Sequence, residues 1–438
     1  MDEFALDSGN TAWMLTSAVI VLMMTVPALA FFYGGMVRGK SVLNMLMMNF
    51  VAAGTVGFIW ILYGYGMAFG TSTTGFGQFV GNPFQFFGLQ NLTDADTFGA
   101  PYGVPAFVFV AFQATFAVIT VALITGAIAD RIKFGHWVAF TIIWATAVYF
   151  PLAHMVWGGG FLGASGPIGT ALSTPIDFAG GTVVHIDAGA AGLALALLLG
   201  KRKNWPKEPM RPHNLPFVML GAALLWVGWF GFNAGSELAA DGTAGRAWIN
   251  TFVATCVAML GWLVTEKFRD GHATSLGAAS GIVAGLVAIT PAAAAVDSWG
   301  AIAIGLIAGV VCALAVGLKY KLGYDDALDV VGVHLVGGIT GTVLIGLFAT
   351  TNQGGFLPTG AKEGLFYGGG VTQLLTQISV ALIAVVFSFV LTYIIGSILK
   401  AIGGLRLSEE IEVGGIDLAV HGEQAYESLG ARVVTEVK

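Results

Sequence analysis

The chain has 438 residues, of which 56% are hydrophobic and only 10% charged, with a formal net charge of −6. Soluble domains carry about 25% charged residues, so a chain this apolar has too little charge to cover a soluble surface, and the soluble globular class is excluded. Its two cysteines, Cys256 and Cys312, both lie inside apolar runs, read as small buried hydrophobes, and give neither a disulfide framework nor a zinc site.

In chain order, Met1 to Asn10 carries Asp2, Glu3 and Asp7 and no basic residue. A secretory signal needs a basic start, so the first apolar span is expected to stay in the mature protein. Apolar runs then follow at 12–33, 43–69, 104–128, 136–156, 182–200, 215–235, 247–266, 273–290, 299–318, 328–349 and 371–399. Runs of about twenty residues match a hydrocarbon core of about 30 Å. The fold class expected is therefore an all-α membrane protein with eleven transmembrane helices. A transmembrane domain would occupy 1–400 and a polar tail 401–438, the tail being a solvated end that carries Glu409, Glu410, Glu412 and Glu423. The loop 71–103, with Gly, Thr and Phe and no Lys or Arg, has the composition of an ordered rim.

The loops set an orientation. With the N-terminus outside, 17 of the 19 Lys and Arg fall on the inner side, and only Arg246 and Lys362 fall outside. That is the bias of the positive-inside rule, and a missed span would scramble it. The C-terminus is then cytoplasmic.

An internal repeat is visible. Asp177 to His185 reads DFAGGTVVH and Asp326 to His334 reads DALDVVGVH, each placing an Asp eight residues before an intramembrane His, with glycines following. Phe31 to Gly35 ends the first span and Trp229 to Phe232 ends the sixth. Spans 1–5 (repeat A, about 12–200) and 6–10 (repeat B, about 215–349) thus read as two copies. Five is odd, so the second copy is inverted, and such repeats place substrate near the midplane at their interface. Span 11 (about 371–399) is left to brace the bundle.

Ionisable groups inside a membrane are costly and functional by default. The deep ones here are His185, Asp187 and His334, with Asp177, Asp326 and Asp329 near the ends of spans. His185 and His334 hold equivalent places, so they can meet on a pseudo-twofold axis as paired imidazoles lining a narrow pore, able to hold a small polar molecule or to pass a proton. Two other readings stand beside this one: separate histidines satisfied by carbonyls or hydroxyls, and a haem-ligand pair, which the surrounding Gly and Ala disfavour because they let backbones approach closely. Trp157, taken alone, is an interfacial anchor. Phe232 and Ser236 share one helix face at i, i+4, and Phe112 and Phe116 repeat that spacing. Rings and a hydroxyl at one depth suit a small cation.

The runs AHMVWGGG (153–160), DFAGGTVVHIDAG (177–189), GWFGFNAGSE (228–237) and GVHLVGG (332–338) resemble the signature segments of the ammonium transporter family (Amt/Mep, with Rh proteins as distant relatives), bacterial Amt type. The likeness covers nearly the whole chain. It implies a transporter rather than an enzyme, in the plasma (inner) membrane, as a homotrimer with one pore per subunit and no cofactor, metal or nucleic acid. It implies that Trp157, Ser236 and Phe116, with Thr290 nearby, recruit NH₄⁺, with methylammonium as an analogue. Phe116 and Phe232 would form the gate, and His185 and His334 would line the pore below it. Asp177 would support the outer site from behind, and Asp326 and Asp329 would organise the cytoplasmic mouth. Deprotonation at the outer site and conduction of NH₃, with separate proton transfer, is the mechanism expected, and a neutral gas channel of the Rh type is the alternative. The tail segment His421 to Tyr426 resembles the family's cytosolic C-terminus, which implies docking across subunits and a PII-type regulatory partner. Asp187 departs from the pattern, standing where other members carry a neutral polar residue. It points to a different helix face from His185, which suits a structural partner.

Overall fold

The structure, a computed structural model, describes residues 6–71, 75–93, 96–98, 102–208 and 210–426. Asp2, Glu3, Arg432 and Lys438 and the last stretch of the tail lie outside the described residues, as do three short pieces of the 71–103 loop. Among the described residues, ten helical segments are long and apolar enough to cross a membrane: α1 (Ser8–Met36), α2 (Val42–Phe69), α3 (Ala106–Ile128), α4 (Phe134–Val156), α5 (Gly181–Leu199), α6 (Leu215–Gly235), α7 (Gly242–Asp270), α9 (Ser298–Leu322), α10 (Val331–Phe348) and α11 (Thr372–Gly403). The eleventh, α8 (Ser275–Ile289), is apolar but only 15 residues long.

Capping chemistry carries several helices beyond their apolar runs. Asp241 accepts from Thr243 N and Ala244 N and starts α7 five residues before the apolar run, and Gly271, at φ +84°, stops it. The shortness of α8 has its own cause. Fifteen residues rise about 22 Å, less than the hydrocarbon depth. The chain continues as buried, non-helical backbone through Ala292 to Ala295. Irregular backbone survives at such depth only where its polar groups are satisfied by protein. Here Asn250 Nδ2 donates to Ala293 O and Val296 O, while Phe356 N and Thr350 N donate to Ala294 O and Ala295 O.

The two repeats meet where α5 crosses α10. Each of these helices opens with a π-helical turn carrying its histidine, Gly181–Ile186 and Val331–Leu335. Each turn is capped by the Asp that precedes the His. Asp177 accepts from the N–H groups of Gly180, Gly181, Thr182 and Val183, and Asp326 accepts from Val330 and Val331. The crossing is reciprocal. A Cβ on Gly189 of α5 would overlap Leu335 N, and a Cβ on Gly338 of α10 would press against His185 Cβ and Ile186 N. Small residues here set the interhelical distance.

The long helix α11 braces both repeats. Its Gln377 bonds Ile176 N, Ile176 O and Thr342 O, its Gln373 bonds Ser173 and Thr174, and its Thr392 accepts from Trp144 Nε1. The tail differs from the solvated end its composition suggested. Its first half folds back on its own chain's loops, with the short helix α12 (Glu409–Gly414) and the turn Asp417–His421 packed there. Glu412, buried, accepts from Arg406 Nη2 at 2.6 Å and Lys203 N at 2.7 Å, and Asp417 caps Leu43 N and Asn44 N at the start of α2. Of Glu409, Glu410, Glu412 and Glu423, only Glu412 leaves solvent, where a backbone N–H group and an Arg side chain lie within reach, while the others stay exposed.

Candidate functional site

Trp157, Phe116, Phe232, His185 and His334 form one continuous row of ring contacts. Trp157, the C-cap of α4, meets Phe116 of α3 edge-on, with centroids 6.0 Å apart at 85°. Phe116 lies face to face with Phe232 of α6 at 4.1 Å and 17°. Phe232 leans on His185 at 6.2 Å, and His185 Nδ1 lies 3.3 Å from His334 Nδ1. All but Trp157 are buried. Phe112, which shares a face with Phe116 in the sequence, packs edge-on behind it at 4.9 Å.

Above the stacked rings is a vestibule of ≈ 380 Å³, lined among others by Trp157, Asp177, Ser236, Glu237, Tyr102 and Phe178. Below them is a cavity of ≈ 10 Å³ against His185, His334, Trp229 and Phe232, closed in by Leu, Ile, Val, Met and Phe side chains. That is room for about one water-sized molecule. The ring pair thus separates an open, partly polar compartment from a narrow apolar one.

The vestibule's electrostatics come from helix ends as much as from side chains. α4 and α6 both end here, and a helix C-terminus carries partial negative charge. The N-terminal end of α5, partially positive, also points here, but Asp177 neutralises it by capping four N–H groups. Burial pushes the Asp177 carboxyl up from its usual range, and those backbone bonds hold it back. Trp157 Nε1 donates to Asp177 O at 2.9 Å, so Asp177 fixes the tryptophan without presenting a free oxygen. Ser236 Oγ donates to Phe232 O at 2.8 Å, and its oxygen remains available as an acceptor.

Thr290, expected near the outer site, is fully buried and does not line the vestibule. It accepts from Trp229 Nε1 at 2.7 Å and itself donates to Leu286 O. Trp229 in turn stacks on His185 at 5.4 Å and 22° and lines the cavity below the rings, so Thr290 reaches the path only through Trp229. Trp229 went unassigned in the sequence reading, although the GWFGFNAGSE run contains it and places it at i−3 from Phe232. At the other end, Lys319 Nζ pairs with Asp329 at 2.6 Å and donates to Asp326 O, and Asp329 lines a separate open pocket with Lys319 and Arg269. Burial drives the Asp326 carboxyl up to about 6, with Lys319 opposing the shift and Asp329 adding to it. Asp187 is buried, and Ser388 of α11 donates to its main-chain oxygen, but among the described residues neither carboxyl oxygen has a hydrogen-bond partner. Among the described residues no cluster of His, Cys, Asp and Glu could hold a metal.

A family model described as "Ammonium Transporter Family" matches residues 12–426. The chain is 55% identical to an ammonium transporter of Mycobacterium tuberculosis, over 98% of this chain and 93% of the relative. It is 50% identical to one of Aquifex aeolicus, over 97% and 95%. Among solved structures it is similar to Candida albicans Mep2, with a TM-score of 0.84 at 31% identity over 98% and 95% of the two chains, and to a sensor Amt protein, with a TM-score of 0.82 at 29% identity over 94% and 98%.

Proposed function

The chain belongs to the ammonium transporter family, a family of multi-pass membrane transporters, and from that premise we propose that it takes up NH₄⁺ in the vestibule, strips one proton and passes NH₃ between Phe116 and Phe232 to the histidine pair. The observation that carries this reading is the unbroken row of ring contacts from Trp157 to His334. Trp157, Phe116 and Ser236 are the recruiting groups: a ring face attracts the cation and the hydroxyl oxygen accepts one N–H. Thr290 serves this site indirectly, through Trp229. Asp177 is structural, and Asp326 and Asp329 order the far mouth.

Magnitudes favour shedding the proton. Burying a bare monovalent cation in an apolar path costs several kcal/mol even after relaxation. Ammonium titrates about two units above neutral, so deprotonating it at pH 7 costs about 3 kcal/mol. Potassium and sodium have no proton to lose, so the same step selects against them. The proton crosses separately through the paired imidazoles, making net transport electrogenic. The protein sits in the inner membrane with its N-terminus outside and its C-terminus cytoplasmic, assembles as a homotrimer with one pore per subunit, and presents its tail to a PII-type regulator. The transmembrane unit is 1–400, with inverted repeats over about 12–200 and 215–349.

The test is current from reconstituted liposomes on a solid-supported membrane after an ammonium jump, with potassium as control. A transient with ammonium or methylammonium and none with potassium is expected. No current together with rapid internal alkalinisation would replace the proton relay with neutral gas conduction of the Rh type.

A further inference from the structure

Among the described residues two carboxylates line the vestibule, and they are not equivalent. Asp177 has both oxygens occupied by four backbone N–H groups. Glu237 is 5% exposed, yet among the described residues no hydrogen bond or ion pair engages its carboxylate. Glu237 lines the open vestibule, so its carboxylate, with no protein donor, is free to accept from a cation there. The local backbone is shaped to hold it there. α6 stops at Gly235, and the chain turns sharply at Leu238, a non-glycine residue at φ +61°. Such a strained conformation persists only where surroundings enforce it. Asn10 supplies the enforcement: its side chain donates to Tyr102 O at 2.7 Å and accepts from Ala240 N at 2.9 Å, tying the rim to the turn. Among the described residues lining the vestibule there is no Lys or Arg to neutralise Glu237.

We propose that Glu237 is the carboxylate that holds the incoming ammonium ion in the vestibule beside Ser236 and Trp157, and that protonating it weakens that hold. This rests on the ammonium reading above. NH₄⁺ offers four N–H donors, and the Ser236 hydroxyl oxygen, the Glu237 carboxylate and the negative ends of α4 and α6 converge on one space. The titratable groups around Glu237 are Tyr102, Asp177 and Asp241, and burial with Asp241 alongside pushes its carboxyl up to about 7. Its charge therefore switches across the neutral range, present at pH 8 and largely lost at pH 6.

The experiment measures apparent KM for ammonium-driven current at pH 6, 7 and 8 on full-length wild type, Glu237→Gln and Glu237→Asp in liposomes. Wild type should show KM rising roughly fivefold from pH 8 to pH 6. Glu237→Gln should raise KM at pH 8 by roughly five- to tenfold, leave maximal current unchanged and abolish the pH dependence, while Glu237→Asp retains it. KM does not depend on how much protein inserts, so poor folding cannot mimic this result. A wild-type KM and pH profile in Glu237→Gln overturns the proposal, and so does a fall in maximal current with no change in KM, which marks a purely structural residue. Wild-type vesicles that give neither current nor alkalinisation with ammonium overturn the parent reading, and this one with it.

Discussion

His185 and His334 were legible as a pair because the Asp-to-His spacing repeats, and the structure gives that spacing its reason: the Asp caps the π-helical turn that carries the His. His185→Ala removes the bridge between Phe232 and His334, and ammonium-driven current should vanish while passive alkalinisation persists; full wild-type current in that variant would exclude the relay. Trp157→Leu removes a ring face worth about 0.5–2 kcal/mol to a cation, so KM for methylammonium should rise roughly two- to thirtyfold. An unchanged KM would reduce Trp157 to an interfacial anchor. Thr290 and Glu237 were not legible in their roles. Their surroundings come from contacts between α6, α8 and the rim, which no periodicity along one helix encodes.

At the scale of elements, hydropathy located the spans because lipid demands about twenty apolar residues in a row, but it carries no information on how polar caps extend them. Asp177 shows what a cap contributes. Asp177→Asn keeps the shape but weakens acceptance from four N–H groups at a helix N-terminus, and should cost about 2 kcal/mol, read as a lower unfolding temperature in detergent together with reduced current. A variant as stable as wild type would show that the turn holds itself. The crossing of α5 and α10 makes a second prediction. Gly189→Leu forces a side chain into Leu335 N, and overpacking of this kind costs about 1–3 kcal/mol or more. Loss of folded protein on size-exclusion chromatography is the expected result, with Ala at the same position milder than Leu.

Across the whole molecule, the bundle and the tail are one structure. Glu412→Ala leaves Arg406 and Lys203 N without their buried partner, and removing one member of such a set costs about 3 kcal/mol. Release of the tail should appear as faster proteolysis after Gly404, and wild-type resistance would show that Asp417 alone suffices to dock it. The acidic composition of 400–438 could not reveal this docking, because its partners outside the tail, Lys203 N and the start of α2, lie more than two hundred residues away. The fold's two halves share an Asp-capped π-helical turn, its histidine and the glycines of the crossing, yet the two histidines cannot be equivalent. Two Nδ1 atoms sharing a hydrogen bond need one N–H and one lone pair, so at any instant the two imidazoles are opposite tautomers and a single hydrogen atom breaks the molecule's symmetry. A proton entering at one Nε2 and leaving at the other exchanges those tautomers. After a proton relayed as proposed above, the pair would face the wrong way for a second in the same direction, so the proposed relay would have to be reset between protons.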